Sequence, residues 1–171
     1  IDIRLLKRNI ESDSWINHVS VTRVWPDTLK LNISEEVPIA RWGDRGFVNH
    51  NGKVVTANIG EQLQDLPLLD GDESKINAIA RWYSKSQSLL SEANVKINGI
   101  RVVGDQWIFD VNSGIQLLVG AKDKQDKLES FVRIFNEELS DKQSQIKTID
   151  LRYRNRLAVT WREPLLVNEI R

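Results

Sequence analysis

The run Val19-Ser20-Val21-Thr22-Arg23-Val24-Trp25-Pro26-Asp27-Thr28-Leu29-Lys30-Leu31-Asn32-Ile33 decides how the chain is read. Leu29, Leu31 and Ile33 alternate with Lys30, Asn32 and Ser34, Val19 and Val21 sit two apart upstream, and Pro26-Asp27 supplies turn chemistry between the halves. A period of two turns one face of each strand inward, so the run predicts a hairpin packed on one face. Just before it, Asp2 is suited to cap a helix whose apolar positions Ile3, Leu6 and Ile10, broadened by Leu5, recur every three or four residues. That spacing predicts a helix over residues 2–13. Just after it, Pro38 interrupts the strand and Ile39, Ala40 and Trp42 resume an extended pattern, which places a domain boundary near residue 38.

Further along, Phe47-Val48 and Val54-Val55 flank Asn51-Gly52, the dipeptide of a tight hairpin turn. Ile76, Ile79, Ala80, Tyr83 and Leu90 form a helical stripe over 73–91. Runs at 95–103, 107–111 and 115–119 read as a three-stranded meander. Leu128, Phe131, Val132, Phe135 and Leu139 line one face of a helix over 124–139. Two last strands, 146–151 and 157–161, flank a turn at 154–156, and a polar tail with Pro164 follows.

The chain has 171 residues, 40% of them hydrophobic, enough to bury a core rather than stay disordered. Lys plus Arg and Asp plus Glu both number 24, so no positive excess gathers nucleic-acid phosphates. Without cysteine there is no thiolate catalysis, disulfide or cysteine metal site, and redox chemistry leaves the compartment undecided. No apolar run reaches the roughly 18 residues that span a bilayer, and no signal peptide opens the chain. It starts at Ile1 and holds no methionine, so the expected reading is a processed or trimmed chain.

Candidate chemistry is sparse. His18 and His50 are the only histidines and lie in separate elements, too few for a metal site. Glu35-Glu36 and Glu137-Glu138 point apart on a strand or helix and read as solvated charge rather than as a catalytic pair. No nucleophile elbow, Walker loop or dinucleotide fingerprint occurs, so an enzyme, including a peptidoglycan-processing one, has no nucleus here. Six tryptophans suit either core packing or partner contact. The final strand is the informative element. With no later strand to cover it, it is a candidate sheet edge, open to an added partner strand. Leu157, Val159 and Trp161 share one face, Ala158 and Thr160 the other, and Arg152, Arg154 and Arg156 crowd the entry. Those arginines suit a docking role and protection against aggregation equally well.

Trp25-Pro26-Asp27-Thr28-Leu29-Lys30-Leu31, continuing into Glu36-Val37-Pro38-Ile39-Ala40-Arg41-Trp42, resembles the signature of the FtsQ/DivIB family of bacterial division proteins, closest to the proteobacterial FtsQ branch. Later blocks resemble it in order: Phe47-Val48-Asn49 with Gly52, Leu66-Pro67-Leu68-Leu69-Asp70-Gly71, Trp107 with Gly114-Ile115, and Asp150-Leu151-Arg152-Tyr153 with Ala158-Val159-Thr160-Trp161. The resemblance implies an α+β fold: the C-terminal half of a POTRA domain over 1–37, a β domain over 38–162 with a mostly antiparallel, curved sheet and two helices packed on it, and a tail over 163–171. It implies a non-enzymatic divisome scaffold in the periplasm, anchored in the inner membrane by a segment outside this chain and needing no cofactor or metal. FtsB and FtsL are the implied partners, with the POTRA part available to other divisome proteins. The positions that match the family's partner contact are Arg152, Tyr153, Asn155, Arg156, Leu157 and Trp161. Arg154 and Arg156 depart from the pattern, replacing an acid and a small residue, and Val103-Gly104-Asp105-Gln106 stands where near relatives carry arginines. A POTRA-bearing chaperone or secretion module that binds client strands is the alternative suggested by residues 2–36.

Overall fold

Asp2 caps the first helix as its sequence suggests. In the computed structural model, which describes residues 2–154 and 156–163, its carboxylate accepts from the backbone N–H groups of Arg4 and Leu5 at 2.9 and 3.2 Å. The helix α1 (Ile3–Glu11) is shorter than the apolar spacing predicts. Asp13 accepts from the Trp15 N–H at 2.9 Å, and this local turn leads the chain out of the helix and into a strand.

The contacts divide the chain into two units, residues 1–66 and 67–171. In the first, β1 (Ile16–Val24) and β2 (Thr28–Glu35) form the expected antiparallel hairpin, closed by the pair Val24 and Thr28. Val19 faces Ile33 and Val21 faces Leu31, so these four side chains share one face. Only half of that face is covered. Val19 is fully buried beside α1, whereas Leu31 is 43% and Ile33 51% exposed. The one-sided packing read from the alternation therefore holds for β1 and not for β2.

The same unit continues as an antiparallel meander, β3 (Pro38–Trp42), β4 (Gly46–Asn49) and β5 (Val54–Thr56). Pro38 opens β3, a position where a missing N–H costs no ladder bond. Gly52 takes φ +77° in the β4–β5 loop, but the loop is wider than a two-residue turn. Asn49 organises it, its side-chain oxygen accepting from the N–H groups of Asn51 and Lys53 at 3.0 and 2.9 Å. The Asn49 amide donates to the buried Glu36 carboxylate at 2.7 Å, which joins the end of the hairpin to the meander. Phe47, Val55 and Leu63 form the local core, and Trp15 stacks on Phe47 with ring centroids 4.8 Å apart.

In the second unit six strands run in the order β6-β7-β8-β9-β10-β11: β6 (Leu68–Asp70), β7 (Ile97–Val103), β8 (Gln106–Val111), β9 (Ile115–Val119), β10 (Ile146–Asp150) and β11 (Ala158–Trp161). The central meander β7-β8-β9 and the pair β10-β11 are antiparallel. The pairs β6-β7 and β9-β10 are parallel, and each is bridged by a helix, α2 (Ile76–Leu90) and α3 (Lys124–Ile134). Parallel neighbours need such crossovers because a tight turn cannot reverse the chain twice. α3 runs on into a π-turn, Phe135–Leu139, so the predicted 124–139 helix is continuous in space though not in hydrogen-bond pattern. The strand β6 was not expected from its short apolar run. Gly99 lets it approach, since a Cβ there would lie 2.9 Å from the Leu68 carbonyl oxygen.

One face of this sheet is the core. Ile100, Phe109, Leu117 and Ile149 stand in register across four strands and are all buried, together with Phe131 and Leu128 of α3. Mixed helices, a mostly antiparallel sheet and a two-stranded hairpin give the α+β class expected.

Candidate functional site

β11 has β10 as its strand neighbour and stands at the end of the order, so its outer backbone edge carries no ladder among the described residues. Thr160 faces Thr148, Val159 faces Ile149 and Ala158 faces Asp150. Val159 thus turns toward the buried face, and Ala158 and Thr160 turn toward the open one. Trp161, opposite Ile146 past a register shift, leaves 45% of its surface in solvent.

Arg162, which the sequence reading passed over, pins the end of this strand. Its N–H donates to the Gln145 carbonyl at 2.7 Å, its Nε to the Ile146 carbonyl at 3.1 Å, and its Nη2 to the Ser113 carbonyl. The available signal was a lone arginine directly after an apolar strand, which by itself does not reveal a backbone contact 49 positions away.

At the entry of β11 lies a cavity of about 400 Å³ between α3 and residues 151, 153, 154, 156 and 157. Phe131, Ile134, Leu151 and Leu157 give it apolar walls. Lys127, Arg133, Arg154 and Arg156 bring positive charge to its lining, against Asp123 and Asp126. Tyr153 lines it too, half exposed, with the Arg156 guanidinium 5.1 Å from its ring centroid. A lining of apolar side chains with four cations against two carboxylates suits an acidic segment carrying an apolar side chain.

Of the six positions expected to contact a partner, Trp161 ends β11, Tyr153, Arg156 and Leu157 line the cavity at its entry, and Arg152 follows the end of β10. Asn155 lies outside the described residues. Arg152 is already engaged. Its Nε and Nη2 donate to the Asp150 carboxylate at 2.9 and 2.6 Å, which holds the Asp150 carboxyl below its ordinary range and raises Arg152.

The remaining candidates fall elsewhere. His18 sits 3.3 Å from Glu11, and among the described residues no three potential metal ligands gather. Trp42 and Trp107 are buried, and Lys124 lies 4.7 Å from the Trp107 ring centroid and 4.9 Å from that of Trp82, its pKa pushed down by burial. Trp25, at the tip of the β1-β2 hairpin, is 84% exposed, which period-two alternation could not distinguish from a core position.

The architecture defines a class first: a helix-and-hairpin module followed by a sheet-rich part in which β11, the last strand among the described residues, carries no ladder on its outer edge there. Residues 1–36 match the family described as POTRA domain, FtsQ-type, and residues 40–152 match the family described as cell division protein FtsQ/DivIB, C-terminal. The chain belongs to the FtsQ/DivIB family of cell division proteins. It is 34% identical over 95% of its length to the cell division protein FtsQ of Cellvibrio japonicus, covering 51% of that protein. It is 32% identical over 88% of its length to FtsQ of Alcanivorax borkumensis, covering 58% of it, and 25% identical over 94% of its length to FtsQ of Hahella chejuensis, also covering 58%. The chain therefore spans little more than half the length of these relatives. Among the described residues no helix is long and apolar enough to cross a membrane.

Proposed function

We propose that the chain is the non-enzymatic partner-binding part of a divisome scaffold, which binds the periplasmic regions of FtsB and FtsL by adding a partner strand to β11. The observation that carries this reading is the β11 edge, which carries no ladder among the described residues, with Trp161 half exposed on it and a partly apolar cavity at its entry that Tyr153 and several cations line. Backbone pairing along β11 supplies affinity that any extended segment could use, and the cavity and the arginines select which segment fits. Arg152, Tyr153, Asn155, Arg156, Leu157 and Trp161 form the contact set. In the working protein, 1–37 is the C-terminal part of a POTRA domain, 38–162 the β domain and 163–171 a tail. The protein is held in the inner membrane at the division septum, and this chain faces the periplasm. Family resemblance supports these placements.

The test is binding of the purified chain to the FtsB periplasmic region, with protected amides mapped. Trp161→Ala and Tyr153→Glu, each shown to fold, lose binding, and protection falls on residues 158–161. Undiminished binding by both variants, or protection confined to the β1-β2 hairpin, would sink the edge-docking reading. The second outcome would favour a POTRA-type strand chaperone.

A further inference from the structure

We propose that Asp150 is a positioning residue that holds the Arg152 guanidinium oriented for a carboxylate on the incoming strand, an inference that rests on the edge-docking reading above. Three donors of Arg152 converge on this one side chain. The backbone N–H and Nε reach Oδ1 at 3.0 and 2.9 Å, and Nη2 reaches Oδ2 at 2.6 Å. A guanidinium carries five N–H donors in a fixed plane. Side-on pairing through Nε and Nη2 uses two of them and leaves the Nη1 end for a second acceptor.

Burial assigns the roles within the pair. The Asp150 side chain is only 14% exposed, while that of Arg152 is 48% exposed, so the covered member orients and the open member meets a ligand. Lys127 on α3 donates to the Arg152 carbonyl at 3.3 Å and steadies the backbone of the same residue. Register then fixes the side. Asp150 stands opposite Leu118, on the face turned away from buried Leu117 and Ile149, and Arg152 follows it there. Tyr153, one residue on, lines the cavity against Phe131 of α3. The two adjacent residues both follow the end of β10 on the way to β11, and an added strand is offered the guanidinium next to the aromatic ring.

Geometry alone admits the opposite sign, in which Asp150 screens Arg152 and competes with the partner's acid. The 48% exposure of the arginine side chain argues against that, and binding decides it. The full chain is titrated with the FtsB periplasmic region of the same bacterium by calorimetry, each variant first shown to keep the wild-type thermal midpoint within a few degrees. Asp150→Asn, which offers one acceptor oxygen and no charge, weakens binding by about threefold to tenfold. Asp150→Glu restores most of it. In an Arg152→Ala background the Asn substitution changes affinity by less than about twofold, because a positioning residue acts only through the residue it positions. Unchanged or tighter binding by Asp150→Asn overturns the proposal, as does a loss that persists undiminished without Arg152. Should Asp150→Asn fail to fold, the comparison of Asp150→Glu with wild type, each with and without Arg152, carries the same coupling test. A wild-type chain that does not bind overturns the docking reading and this one together, whereas binding without coupling overturns this one alone.

Discussion

The Asp150 carboxyl lies below the ordinary aspartate range first because Arg152 donates to it through its side chain, with further help from the Arg152 backbone N–H and the nearby charges of Arg152 and Lys127. A depressed carboxylate contributes stability that is fully present above its unfolded pKa, near the ordinary 3.8, and is lost as pH falls through the lower folded value. An acid titration should therefore show the wild-type chain losing this contribution only below about pH 4, and Asp150→Asn should flatten that part of the curve. Among single side chains, Trp25 and Trp161 are the pair to compare, since both are aromatic and exposed. Trp25→Ser should leave urea stability within about 0.5 kcal/mol, because little apolar surface is lost from the interior. Trp161→Ala should be similarly mild for folding but should weaken partner binding by about 2 kcal/mol or more, read by calorimetry. The identity of these residues was legible in the sequence, whereas their exposure was not. Trp15 and Trp25 are alike in residue type, yet the ring of one packs against Phe47 and the other stands in solvent.

Among the elements, β11 depends on a side chain beyond its own end. The Arg162 side chain ties it to the Ile146 and Ser113 carbonyls, beside the backbone bond from the Arg162 N–H to the Gln145 carbonyl, and a four-residue strand has few ladder bonds of its own to replace the two side-chain ties. Arg162→Ala should destabilise the chain by about 1 kcal/mol and speed hydrogen exchange at the β11 amides more than at β8. Elements with strong periodicity were readable: α2, α3 and the meander β7-β8-β9 fall within a few residues of their predicted ranges. Short elements were not. β6 has three residues, too few for alternation to register, and it exists because Gly99 admits its backbone and α2 returns the chain beside it. Helix α1 stops early because Asp13 offers its carboxylate to the Trp15 N–H, a competition that apolar spacing does not reveal.

For the whole molecule, the core of the second unit centres on Phe109, fully buried between Ile100 and Leu117 on neighbouring strands. Phe109→Ala should cost about 3–5 kcal/mol in urea unfolding, since close packing leaves a cavity that neighbours only partly fill. The ordered motif blocks and the hydrophobic periods sufficed for the family, the α+β class and the last strand as a candidate edge, because these are written in local patterns of residue type. Which edge of the sheet β11 occupies, that a cavity sits at its entry, and that Asp150 holds Arg152 are matters of what lies beside each residue in space. Strand order, two parallel crossovers and the return of α3 bring those neighbours together, and such contacts join positions too far apart in the chain for any local pattern to record.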